Sequence, residues 1–63
     1  MGMNPFSANT ARLRDRELVV MCDVVDLVTA LNPGLIHRDP TWSALVHAVV
    51  NEAAARSWMQ VAA

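Results

Sequence analysis

The sequence predicts an all-α fold, a two-helix antiparallel hairpin dimerising into a four-helix bundle, and three observations predict it. Two long segments carry apolar residues at spacings of three, four and seven, the period of a helix with a buried face. Between them, Asn32 to Pro40 (NPGLIHRDP) ends one helix and begins another. Finally, 54% of the 63 residues are hydrophobic and the mean hydropathy is +0.27, more apolar material than two lone helices can hide from water.

Residues 1–8, MGMNPFSA, mix Gly, Asn, Pro and Ser without a period and read as a flexible arm. Helix 1 is expected over 10–31, with Asn9 or Thr10 as its N-cap. At 100° per residue, Arg12, Asp15, Arg16, Asp23, Asp26 and Thr29 fall on one side. The other side divides into two adjoining stripes, Leu13, Val20, Val24, Leu27, Leu31 and Leu18, Met21, Val25, Val28. One stripe suffices to meet the other arm of a hairpin. The second needs a further neighbour, and this is the main reason to expect a homo-oligomer. The many valines of ELVVMCDVVDLV would also suit a strand, but period-two alternation is absent and polar residues recur at helical intervals.

In the connection, expected over 32–39, Pro33 disfavours the helical region for Asn32, and Gly34 tolerates conformations that end a helix. Asp39 then supplies an N-cap acceptor, and Pro40 at the first helical position gives up an N–H that had no partner. Helix 2 is expected over 40–61. Its main stripe is Trp42, Leu45, Val46, Val49, Val50 and Ala53, and beside it lie His47, Asn51, Ala54 and Trp58. Antiparallel arms would bring the level of Glu17 to that of Arg56, so these two are expected to pair and fix the register.

A chain this short buries too little surface to offset its ordering entropy without help. Cys22 is the only cysteine, so no internal disulfide forms, and no Cys/His spacing resembles a zinc site. Association is left. A homodimer is expected, with Leu18, Met21, Val25, Val28, Trp42, Leu45 and Val49 at the interface between copies. The run Leu18 to Leu31 is too short for a bilayer and is interrupted by Asp23 and Asp26, so no membrane partner is expected. The lone thiol fits a reducing cytoplasm.

No catalytic, metal or cofactor site is expected. Asp23 and Asp26 stand a turn apart on the polar side, but no Glu-x-x-His accompanies them. His47 and Cys22 could pair only if brought together, and nothing beside them supplies an oxyanion hole. A net charge of -1 gives no field that advertises nucleic acid. Arg12, Arg14 and Arg16 form the one cationic cluster, at alternate positions that point to different sides of a helix. The sequence therefore predicts a small homo-oligomeric helical module that binds and modulates a protein partner, with Trp58, His47 and Asn51 as the contact residues. The alternative is a dimeric RNA- or DNA-binding regulator using Arg12, Arg14 and Arg16.

Overall fold

A computed structural model describes residues 4–58, all of whose regular structure is helical. The elements are α1 (Ser7–Ala11), α2 (Asp15–Leu31), α3 (Leu35–Arg38) and α4 (Pro40–Ala55). Each of the first three packs against α4.

The first long helix departs from its expected 10–31 span. A separate short helix, α1, occupies part of the expected arm, and the chain turns at Arg12, Leu13 and Arg14 before α2 begins. Arg14 is extended (φ -72°, ψ 158°), and the Glu17 Oε1 accepts its N–H at 2.8 Å. That bond satisfies the backbone at the helix entrance, while Asp15 and Glu17 place negative charge at the positive end of the dipole. Glu17 is thus occupied locally. The arm is also tied down at Asn4, whose Oδ1 accepts the Phe6 N–H at 2.9 Å and whose Nδ2 donates to the Ala44 carbonyl of α4 at 2.7 Å. Residues 1–3 of the expected arm lie outside the described residues.

The helix stop at Asn32 and the start at Pro40 fall where the sequence places them. Asp39 Oδ1 accepts the N–H groups of Thr41 and Trp42 at 3.0 and 3.1 Å. The connection is more structured than a plain loop, because α3 forms one turn within it, and Ile36 from that turn packs on the core.

The second long helix ends at Ala55 rather than near 61. Ser57 takes a left-handed conformation (φ 63°), the Trp58 N–H donates to the Ala53 carbonyl at 2.9 Å, and the Ser57 N–H donates to Ala54 at 3.0 Å. This is a Schellman stop with serine where glycine is usual. Residues 59–61 of the expected helix lie outside the described residues. Ser57→Gly should raise stability by about 0.5–1 kcal/mol, because it removes a Cβ penalty larger than the entropy glycine adds to the unfolded chain. A melting midpoint at or below that of the parent chain would contradict the strained stop.

The core lies between α2 and α4. Leu18 and Val25 from the former meet Val46, Val49 and Ala53 from the latter, and Leu13, Met21, Cys22, Ile36, Trp42 and Leu45 pack around them. Leu18 is 0% exposed and Val49 1%. Of the residues expected between copies, Leu18, Val25 and Val49 are therefore buried within one chain, while Met21, Val28, Trp42 and Leu45 are half-buried. Helical spacing faces this stripe of α2 toward α4, and that contact takes up Leu18, Val25 and Val49.

Candidate interaction surface

With the Leu18 and Val25 stripe turned inward, the neighbouring stripe of α2 faces out. Val20 is 59% exposed, Val24 41%, Leu27 60% and Leu31 77%. These residues sit at spacings of four, three and four, roughly 110° round the helix from the inward stripe. Leu13, the remaining member, lies in the corner before α2 and packs on the core. The sequence pattern thus identified two stripes, and the fold assigns them the opposite way round to the expected interface.

At one end of the fold, Arg56 fastens three segments. Its Nε donates to Glu52 Oε2 at 2.8 Å, Nη1 to Asp15 Oδ1 at 2.8 Å, and Nη2 to the Leu13 carbonyl at 2.7 Å. A longer contact of 3.4 Å joins Nη2 to the Ala11 carbonyl. The Glu52 hydrogen bond, followed by that of Asp15, raises the guanidinium pKa above its already high ordinary value. The expected partner was Glu17. The corner at Arg12 to Arg14 redirects the chain so that Asp15 faces Arg56 instead, while Glu17 caps α2.

Trp58 is 39% exposed, with its ring centroid 5.9 Å from the Arg56 guanidinium carbon, a cation–π contact just beyond the helix stop. His47 and Asn51 are exposed on α4, and His47 Nδ1 lies 3.5 Å from the Ser43 hydroxyl. The stop at Ser57 takes Trp58 off the helical line that carries His47 and Asn51, so the three do not continue one helix face.

Arg12, Arg14 and Arg16 are all exposed, but Arg12 and Arg14 belong to the corner and Arg16 to the first turn of α2. Asp15 and Glu17 stand among them. Cys22 borders an open cleft of about 120 Å³ shared with Val25, Asp26, Val49 and Val50. Burial raises the thiol pKa, and the carboxylates of Asp26 and Asp23 raise it further. Both effects oppose the thiolate, the form that nucleophilic chemistry requires.

No helix among the described residues is long and apolar enough to cross a membrane. The chain matches no protein-family model, no curated protein and no solved structure.

Proposed function

We propose that the chain is a homo-oligomeric helical interaction module. In this reading α2 and α4 are the two arms of a hairpin, copies associate into a bundle through the outward face of α2, and the assembly binds and modulates a macromolecular partner in the cytoplasm. The observation that carries it is the open row Val20, Val24, Leu27 and Leu31, four aliphatic side chains aligned on one helix face. Scattered exposed apolar residues are ordinary, whereas a contiguous row of them marks a surface that associates. Trp58 beside Arg56 supplies an amphipathic contact elsewhere on the molecule, of the kind enriched where proteins meet. Arg12, Arg14 and Arg16 support the competing proposal, a nucleic-acid-binding dimer, which requires affinity for RNA or DNA that falls steeply with salt.

Sedimentation from micromolar to sub-millimolar concentration tests the association. The parent chain should pass from one copy to a larger species. Leu27→Asp should keep its helical signal while the dissociation constant rises at least about a hundredfold, since a carboxylate would be desolvated in the seam without a partner. A parent chain that remains a single folded copy throughout that range would remove the proposal.

A further inference from the structure

Residues 7–31 hold neither glycine nor proline, yet the helix breaks between α1 and α2. Ala11, Arg12, Leu13 and Arg14 are all strong helix formers, and Arg12 keeps helical angles (φ -89°, ψ -8°). Nothing local demands the corner, so contacts from elsewhere hold it.

Those contacts fall on particular backbone groups. A continuous helix would pair the Ala11 carbonyl with the Asp15 N–H, the Leu13 carbonyl with the Glu17 N–H, and the Thr10 carbonyl with the Arg14 N–H. In the bent chain Arg56 Nη2 donates to the Leu13 carbonyl at 2.7 Å and lies 3.4 Å from that of Ala11. Glu17 Oε1 takes the Arg14 N–H at 2.8 Å, and the Thr10 carbonyl accepts the Leu13 N–H at 3.2 Å. Two side chains and one tightened turn thus occupy the groups that an unbroken helix would use.

The bend folds the chain back along α4. Asn4 is bonded at Ala44, and Ala11 and Leu13 meet Arg56, so α1 runs beside α4 in the same direction. From Asp15, also at Arg56, α2 returns to the level where Cys22 and Asp26 face Val49 and Val50. Straightening would lift α1 from α4 and turn Leu13 outward. Bent, Leu13 packs on the core; in a continuous helix it stands two turns before Val20, in line with the open row.

We propose that the corner is a latched hinge: the chain has a second state in which α1 and α2 form one helix over 7–31, and Arg56 and Glu17 hold it bent by occupying that helix's backbone partners. A second copy packing along the row gains Leu13 only in the straight state, and that differential contact draws the chain into it. This consequence rests on the self-association proposed above, whereas the hinge belongs to the single chain and is measured there.

In a Cys22→Ser background, spin labels are placed at Ser7→Cys and Asp26→Cys, both exposed positions, and the labelled chain is diluted with unlabelled chain so that only distances within one chain are read. Bent, the two positions stand near the same level of α4, on helices each about 8–10 Å from it, hence no more than about 20 Å apart. Straight, they lie about 29 Å apart along one axis. The parent should give the short distance. Arg56→Ala combined with Glu17→Ala should add a narrow long peak and raise the ratio of long to short at least about tenfold, with the helical circular dichroism held or increased.

Asp15→Pro separates a hinge from fraying. Arg14, extended at φ -72° and ψ 158°, suits the residue before proline, and proline is accepted at the first position of α2. Inside a continuous helix the same proline breaks the ladder. Added to the unlatched chain, it should abolish the long peak and leave the short one. An unlatched chain that keeps the parent's distance, loses its helical signal, or shows long or broad distances that survive Asp15→Pro would overturn the hinge. A parent chain that never associates in sedimentation removes the self-association and leaves the distances within one chain as they stand.

Discussion

Leu18→Ala is expected to leave most of the chain unfolded at room temperature. Leu18 is 0% exposed and, with Val49, is one of the two largest fully buried side chains among the described residues. Removing a buried leucine side chain to its Cβ costs about 2–5 kcal/mol, the higher values arising where the surroundings cannot collapse into the space. A single core in a chain this small supplies no more than about 3–5 kcal/mol in total. Loss and reserve are thus comparable, and the folded population should fall from nearly all to a minority. Far-ultraviolet circular dichroism measures this directly. The result also locates Leu18 in the molecule. At the lowest concentrations, where association adds nothing to the stability of the folded chain, Leu18→Ala should lose its helices, whereas Leu27→Asp, on the outward row, should lose association and keep its helices.

The contrast between Leu18 and Leu27 also marks how far the sequence could be read. Both stripes of α2 have helical spacing and both are made of leucine, valine or methionine, so composition cannot rank them. Which one turns inward depends on where α4 lies, and that is decided by contacts distant in the chain. Local signals were more informative. Asn32-Pro33-Gly34 and Asp39-Pro40 act within a few bonds of themselves, and the helix boundaries fall at both. The break before α2 was harder to see because Arg14 occupies the N-cap with no side-chain acceptor to offer. Only Glu17 at the third helical position signalled it. The end of α4 was concealed in the same manner, since Ser57 adopts the left-handed conformation that a glycine would have announced. Of the candidate contact residues, Trp58 was legible as lying apart from the main stripe. Its position over Arg56 followed from the helix stop and was not legible.

Arg56→Ala should loosen the joint between α1 and α2 more than the loss of a surface ion pair can explain. Isolated surface pairs contribute little because solvent screens them and long side chains lose entropy in holding one geometry. Arg56 differs in that one planar guanidinium reaches Glu52, Asp15 and the Leu13 carbonyl, each within 2.8 Å. Its side chain is only 18% exposed. Alanine there leaves the carboxylates to water but deprives the half-buried Leu13 of a backbone partner at the point where the chain turns. The melting midpoint should fall by several degrees, and amides across residues 7–14 should exchange at least about tenfold faster, with a smaller change in the middle of α2 and α4. Arg56→Lys should resemble alanine more than the parent, since an ammonium is a point charge without the fork that meets a carboxylate and a carbonyl together. Asp15→Asn removes one charge and keeps the carbonyl bonds, so its effect should be the smallest of the three. Equal losses for Asp15→Asn and Arg56→Ala would show that the ion pair alone carries the joint. The stated order would show that the arginine acts chiefly by holding the backbone where α1 hands the chain to α2.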